Sequence, residues 1–222
     1  MNSKVLSVRE QDALSRAILR KRLATVLPEA MRSAGIDMWL IICQEDNHDP
    51  LFTTMIPVLT WAPILQMLVF HDQGEEAGVD CLNLSMTDLG DLYEKVWHGF
   101  YHTEQWSLLA QIIAERNPAR IGINIGGTQW CAGGLTANLH QQLLEALPAE
   151  YTERLVSAEV AATHWASVLI PEELHFYPHI VRATKQIIAD CYSPATLIPG
   201  VTTSDDLQWA FMQYSRDRGL DL

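Results

Sequence analysis

Residues 35–43 read Gly-Ile-Asp-Met-Trp-Leu-Ile-Ile-Cys, and this stretch decides the fold class. The run from Met38 to Cys43 is apolar without alternation, which is typical of a strand covered on both faces of a sheet. Gly35 stands where a helix stop belongs, because glycine accepts the left-handed backbone that ends many helices. The stretch therefore predicts a helix that leads into a central strand.

The segment before Gly35 has the periodicity of a long helix with one buried face. Pro28 lies inside the pattern, at a position where proline can kink a helix. The apolar residues recur three and four positions apart, and they are Leu19, Leu23, Val26, Leu27, Ala30, Met31 and Ala34.

After the central strand, short apolar strands alternate with helical stretches. This alternation predicts an α/β layer structure with a largely central sheet, and it leaves the strand order open. The further strands are predicted near 64–71, 79–84, 120–125 and 151–157, and the helices near 89–97, 104–116 and 135–146.

A change of character between residues 158 and 177 predicts a domain boundary. We expect one domain over residues 1–165, and a linker with two helices over residues 166–222. The last helix should begin at a cap formed by Thr203 or Ser204, whose hydroxyl can accept a free backbone N–H of the first turn.

Composition and charge exclude several classes of protein. Lys and Arg number 15 against 27 Asp and Glu, and the resulting net charge of −12 argues against nucleic acid and anionic membranes as partners. The longest apolar run, near residues 56–70, is shorter than a membrane-spanning helix, which needs about 20 residues. Residues 1–10 lack the apolar region of a secretory signal. The four cysteines are isolated, as in a reducing compartment, and we expect a cytoplasmic protein.

Two sets of residues resemble a known family, the creatinase/prolidase-type metallopeptidases. The first set is similar to the opening of the family's amino-terminal domain, and it comprises Arg22-Leu23, Met31 and residues 35–41. The second resembles the helix, Pro-Gly-x-Thr turn and helix that open the pita-bread domain of Xaa-Pro aminopeptidases and prolidases, and it comprises Arg182-Ala183, residues 197–202, Leu207 and Gly219.

The resemblance implies both a fold and a reaction. The fold would be a creatinase-type, ribonuclease H-like mixed sheet flanked by helices, followed by a helical fragment of a pita-bread domain. The parent enzyme would be a dimer that hydrolyses peptide bonds next to proline in peptides. Two aspartates, a histidine and two glutamates would hold a pair of Mn, Co or Zn ions in such a parent.

No catalytic residue and no metal ligand is assigned within this chain, because the family's ligands follow the second helix of the pita-bread domain. We therefore expect a non-catalytic amino-terminal portion, without a cofactor of its own, that contributes to oligomerisation and substrate access. The helical stripes 180–188 and 207–214 should then pack on the amino-terminal domain or on a second copy.

Departures from the family pattern leave the subfamily and the substrate open. Relatives often carry an arginine and a lysine just before the catalytic domain, where this chain has Thr163 to Ala166. The loop after the first strand also differs, since it reads Asn-His-Asp-Pro-Leu-Phe-Thr over residues 47–53.

The polar cluster of residues 45–49 is the main candidate site. Consecutive side chains in one loop rarely converge on a metal, and a solvated loop is the preferred interpretation. The resemblance places this loop toward the active site of the same or a neighbouring subunit. Asn47 and His48 are accordingly candidates for substrate binding.

Three other patterns have simpler interpretations. His98 and His102 have the four-residue spacing of helical metal ligands, but Gly99 predicts a loop. Residues 122–127 are glycine-rich but lack the spacing of a phosphate loop, and a strand that ends in a turn explains them better. The tryptophans predicted as core or interface aromatics are Trp39, Trp61, Trp97, Trp106 and Trp130.

Two alternatives to the peptidase interpretation stay open. The chain can be a stand-alone binding or oligomerisation module. It can also belong to a pita-bread enzyme with other chemistry, such as creatine hydrolysis or a lyase reaction.

Overall fold

Helix α1 (Val8–Ala34) leads into strand β1 (Met38–Gln44) through the predicted turn. Gly35 has a φ of +63°, and its N–H donates to the Arg32 carbonyl while the Ile36 N–H donates to the Met31 carbonyl. These two bonds close the end of the helix. The helix continues through Pro28. Because six of the seven β1 residues are buried, the prediction of a central strand is confirmed.

The structure is a computed structural model that describes residues 6–99, 101 and 103–220. The chain divides into two compact units. The larger unit runs from Asp12 to Val168, and the smaller one combines the residues up to Gln11 with those from Leu169 onward. The domain boundary that the sequence places after residue 165 stays a prediction.

The sheet belongs to the larger unit and has six strands in the order β4-β3-β2-β1-β5-β6. Strands β1 and β2 pair antiparallel, as do β2 and β3, whereas β3–β4, β1–β5 and β5–β6 are parallel. The predicted α/β fold with a mixed sheet is therefore confirmed. Besides β1, the strands are β2 (Leu65–Asp72), β3 (Val79–Asn83), β4 (Glu94–Lys95), β5 (Ile121–Ile123) and β6 (Leu155–Ser157).

Helices follow or connect the strands. Helices α3 and α4 pack through Leu109, Ile113 and Leu139 into a cluster with Met38 and Leu40 of β1. The helices after α1 are α2 (Phe52–Met55), α3 (Thr103–Arg116), α4 (Ala137–Ala146), α5 (Ala149–Thr152), α6 (Glu159–Ser167), α7 (Pro171–Leu174), α8 (Tyr177–Cys191) and α9 (Ser204–Asp217).

The prediction of a helix near residues 89–97 is wrong. The structure has a 3-10 turn at Gly90–Leu92, followed by β4. Gly90 has a φ of +72° and donates its N–H to the Asp88 carboxylate, which breaks a helical path at this point. Strand β4 then forms by pairing with β3. Strand β6 is also shorter than the strand predicted over 151–157, because α5 occupies the first residues of that range.

In the smaller unit, α8 and α9 pack on each other. The Arg218 guanidinium pairs with Asp190, and the Thr196 and Tyr214 hydroxyls lie 2.8 Å apart. Thr203 caps α9 by accepting the Asp206 N–H, as predicted. Many apolar side chains of this unit stay exposed, including Ile180, Val181, Ile188, Trp209 and Phe211.

Candidate functional site

The loop that carries Asn47 and His48 leaves the carboxyl end of β1. Strand β5 runs parallel beside β1, with Leu40 opposite Ile123, so both strands end at the same edge of the sheet. Ligands of open α/β sheets bind preferentially at such edges. The residues that follow the two strand ends therefore form the first place to look for a site.

A buried polar network joins the two strand ends. The Trp39 indole Nε1–H donates to Asn124 Oδ1 over 2.9 Å, and Asn124 Nδ2 donates to Asp49 Oδ2 over 2.8 Å. The other carboxylate oxygen of Asp49 accepts the Leu51 N–H at 2.8 Å. Asp49 and Trp39 have no exposed surface, and Asn124 is 1% exposed.

The hydrogen bonds of this network run in one direction, from Trp39 through Asn124 to Asp49. An indole can only donate, so it turns the Asn124 side-chain oxygen toward Trp39 and the amide NH₂ toward Asp49. Asp49 must then accept from both Asn124 and the Leu51 amide, which an ionised carboxylate does without conflict. The Trp39 indole, acting through Asn124, therefore requires a hydrogen-bond acceptor at position 49.

Gly134 leaves room for the Asp49 carboxylate because it has no side chain. A Cβ at this position would lie 2.0 Å from Asp49 Oδ2 and 2.2 Å from its Cγ. The Leu135 N–H donates to the Asn124 carbonyl over 3.0 Å, which holds the glycine-containing segment against the strand end. Any side chain at position 134 would displace the carboxylate.

Burial shifts the protonation of two groups here. Desolvation raises the pKa of the Asp49 carboxyl above its usual value, although hydrogen bonds from Asn124 and the Leu51 and Phe52 amides lower it in part. Burial also raises the pKa of the neighbouring Cys43 thiol to about 12. Asp49 and Cys43 have no exposed surface, so the network acts by positioning the loop.

The two predicted substrate-binding residues lie directly before Asp49. The Asn47 N–H closes a tight turn onto the Gln44 carbonyl, and its side chain is exposed. His48 is half-buried, with its ring 5.4 Å from that of Phe52. Its Nε2 is buried and has no hydrogen-bond partner among the described residues. The substrate-binding role of Asn47 and His48 stays a prediction.

Backbone strain marks the rest of this loop. Asp46 and Leu59 have φ values of +60° and +63°, and Ile64 has a φ of +60°, which is rare for a β-branched residue. Glu45 holds Ile64 in this conformation: its N–H donates to the Ile64 carbonyl, and its carboxylate accepts the Ile64 N–H over 3.1 Å. Such conformations persist where the surrounding structure over-determines them, and they cluster at functional sites.

The described residues contain no metal-binding group. Nowhere in the described ranges do three or more His, Cys, Asp or Glu side chains come together as metal ligands. The ligand set that the resemblance implies is therefore not found in this part of the chain, and we assign no metal-dependent step to it. His98 is exposed, and His102 lies outside the described residues.

The glycine-rich stretch after β5 binds a carboxylate of the chain itself. The Thr128 and Gln129 N–H groups donate to Glu159 Oε1 at 2.7 and 2.6 Å. These bonds, from Gln129 and then Thr128, lower the pKa of Glu159 below its usual value. The prediction of a strand that ends in a turn is confirmed, since β5 stops at Ile123.

The tryptophan prediction is confirmed in part. Trp39, Trp97 and Trp106 are buried, whereas Trp61 and Trp130 are 69% and 94% exposed and do not belong to the core. The four cysteines are free thiols. Within the described ranges, no helix is both long and apolar enough to cross a membrane.

Sequence reasoning missed the roles of Asp49, Asn124 and Gly134. Asp49 stood in a loop that looked solvated, and Asn124 stood in a glycine-rich turn. One local signal pointed to Asn124, which is a polar residue between Ile123 and Ile125 at the end of a buried strand. The pairing of the two positions required the fold.

The fold described above is similar to that of part of a solved peptidase structure. The chain is similar to a solved structure of a Xaa-Pro dipeptidase from Bacillus anthracis, with a TM-score of 0.58 and 14% sequence identity. The match covers 90% of this chain and 49% of that chain, so this chain spans about half the length of the dipeptidase. At this identity the likeness shows the fold alone. No protein-family model and no curated protein matches the sequence.

Proposed function

We propose that this chain is the non-catalytic amino-terminal portion of a metal-dependent Xaa-Pro peptidase. The observation that supports the proposal most strongly is the fold likeness to a Xaa-Pro dipeptidase, which extends over 90% of this chain but only 49% of that chain. The parent would act on proline-containing peptides as a dimer in the cytoplasm. Free thiols at all four cysteines agree with a reducing compartment.

In this proposal the chain has two parts with different roles. A domain over residues 1–165 would contribute to oligomerisation and substrate access, and residues 166–222 would open the catalytic domain. A pair of divalent metals in the remaining part of the parent would activate the attacking water. The residues of this chain would shape the approach to that centre.

Asn47 and His48 would border the substrate pocket of the parent. The Asp49 network fixes the backbone directly after them, so their side chains are presented in one orientation. In the complete parent, Asn47→Ala and His48→Ala should raise the KM for an Xaa-Pro dipeptide several-fold and change kcat little. Asp46→Asn, in the same turn, is the control, because asparagine tolerates the positive φ of this position. Equal effects of all three substitutions would count against the assignment.

A turnover assay tests the non-catalytic part of the proposal. The purified 222-residue chain, loaded with Mn²⁺, Co²⁺ or Zn²⁺, should hydrolyse neither Xaa-Pro dipeptides nor Xaa-Pro tripeptides. Hydrolysis that co-purifies with the chain and stops on chelation would show that the chain carries its own catalytic centre, and the proposal would fail.

A stand-alone binding or oligomerisation module is the second candidate. The exposed apolar side chains of α8 and α9 favour it, because surfaces of this kind mark interaction sites. Light scattering of the purified chain tests the module. A stable dimer of the 25.0 kDa chain that dissociates when Ile188 is replaced by glutamate supports it. A monomer counts against the module.

A further inference from the structure

A shallow groove of about 500 Å³ lies on the larger unit, away from the Asp49 network. Ser33 lines it from the last turn of α1, and Val160, Thr163 and Ser167 line it from α6. Residues three and four apart on a helix share a face, so these α6 residues form one continuous wall. Thr128 and Gln129 of the turn after β5 also line the groove.

Arg22 holds α1 and α6 together. The buried Arg22 guanidinium donates to the Trp165 and Val168 carbonyls at the end of α6. The central carbon of the guanidinium, Cζ, lies 4.5 Å from the centre of the Trp165 ring. Farther along, His164 Nε2 lies 3.7 Å from Glu29 Oε2. These contacts make the groove a built feature of the packing between α1 and α6.

Three of the groups that line the groove can accept hydrogen bonds from a ligand. The Thr163 hydroxyl donates its proton to the Glu159 carbonyl over 2.7 Å, and the Ser33 hydroxyl donates to the Ala30 carbonyl over 2.9 Å. Both oxygens therefore offer lone pairs to a ligand. The Glu159 carboxylate adds a third acceptor, held in place by the Thr128 and Gln129 N–H groups.

The groove is also negative. The hydrogen bonds from Gln129 and Thr128 keep the pKa of Glu159 low, so its carboxylate is ionised at neutral pH. Glu29 adds a second carboxylate beside His164. The negative end of the α1 dipole lies at Ser33. None of the described residues that line the groove is lysine or arginine.

We propose that this groove binds a primary ammonium group, with the Glu159 carboxylate and the Ser33 and Thr163 hydroxyl oxygens as its acceptors. An ammonium has three donors and no acceptor, which matches a carboxylate and two hydroxyl oxygens whose own protons are already donated within the chain. Val160 offers an apolar surface to the carbon atoms beside the nitrogen. The ammonium can belong to a small amine or to the amino terminus of a peptide.

Amide NMR titration of the full chain tests the proposal. The probes are 1,4-diaminobutane, trialanine and N-acetyl-trialanine. The diamine or the free peptide should shift the Thr128 and Gln129 amide resonances in a saturable way at millimolar concentration, and the acetylated peptide should not. Saturation by the diamine alone identifies a small-amine site, and saturation by trialanine identifies an amino-terminus site. If neither probe saturates, or if the acetylated peptide binds equally well, the proposal is wrong.

Three variants separate the groove from the general negative charge of the chain. Glu159→Gln keeps an oxygen that accepts from the 128–129 turn but removes the charge, and it should weaken binding about tenfold. Glu150→Gln removes the same charge from the exposed face of α5 and should leave binding unchanged. Ser167→Arg should block the groove with its own guanidinium. Equal weakening by Glu159→Gln and Glu150→Gln, or unchanged binding in Ser167→Arg, would overturn the proposal.

Discussion

Replacing Asp49 with asparagine tests whether the buried network runs in one direction. The substitution keeps the size of the side chain and exchanges one acceptor oxygen for an NH₂ donor. If that NH₂ takes the place of Oδ2, it meets the Asn124 NH₂, which lies 2.8 Å away. If the asparagine is flipped, the NH₂ meets the Leu51 N–H instead. Asn124 cannot turn to relieve the conflict, because Trp39 needs its oxygen.

The expected destabilisation follows from the bonds that are lost. One buried hydrogen bond breaks, and two buried donors face each other, which costs about 1–3 kcal/mol. The variant also removes the cost of burying a carboxylate, but hydrogen bonds to Asn124, Leu51 and Phe52 already offset part of that cost. Asp49→Asn should therefore lower the free energy of unfolding at pH 7 by about 1–3 kcal/mol in urea titrations. Asp46→Asn, with the same charge change on an exposed turn, is the control.

The effect should depend on pH in a defined sense. The pKa of Asp49 is raised in the folded state, so the folded chain binds its proton more tightly than the unfolded chain does. The stability from this group is fully present below its ordinary pKa and is lost as the pH rises through the raised value. Relative to Asp49→Asn, the natural chain should lose stability from pH 4 to pH 7. Urea titrations of both chains at the two pH values measure this difference.

A double substitution provides the decisive control. In Asp49→Asn with Asn124→Asp, the new amide donates to the new carboxylate, which still accepts from the Trp39 indole. All donors are then paired again. The double variant should be more stable than the Asp49→Asn single variant, with a coupling energy of about 1–3 kcal/mol. Additive effects of the two substitutions, or an Asp49→Asn variant as stable as the natural chain at pH 7, would refute the directional network.

Two further substitutions probe packing by urea denaturation. Gly134→Ala should lower the free energy of unfolding by about 1–3 kcal/mol, because its Cβ would lie 2.0 Å from Asp49 Oδ2. A Cβ at Gly127 would have nothing within 4 Å, so Gly127→Ala should be neutral. Equal stability of the two variants would contradict the close approach at Gly134. Arg22→Met keeps an apolar stem but leaves the Trp165 carbonyl without its donor, and should cost about 1–3 kcal/mol. An unchanged urea midpoint would show that the guanidinium is not needed.

The parts of the fold that the sequence predicted correctly are those with local causes. The unbroken apolar run of β1 and the spacing of buried residues in α1 each lie within one segment. The helix end at Gly35 and the cap at Thr203 also depend only on neighbours in the chain. Strand β4 was missed because its two residues become a strand through pairing with β3, which no local pattern shows.

The candidate site was less predictable for the same physical reason. Asp49 and Asn124 are 75 residues apart, and only the parallel pairing of β1 and β5 brings them together. The sequence singled out the loop after β1 as a candidate site, but it predicted a solvated loop. The structure shows that Asp49, the last residue of the cluster, is fully buried. Its burial is tolerable because the Asn124 side chain and the Leu51 N–H donate hydrogen bonds to the carboxylate.

The mass of the native protein tests the central proposal most directly. The match covers 90% of the 25.0 kDa chain and 49% of the Xaa-Pro dipeptidase that it resembles in fold. Intact mass spectrometry of the protein from its natural source should therefore give about 46 kDa, with aspartate, histidine and glutamate ligands in the additional sequence. A native mass of 25.0 kDa would contradict the account and favour a stand-alone module.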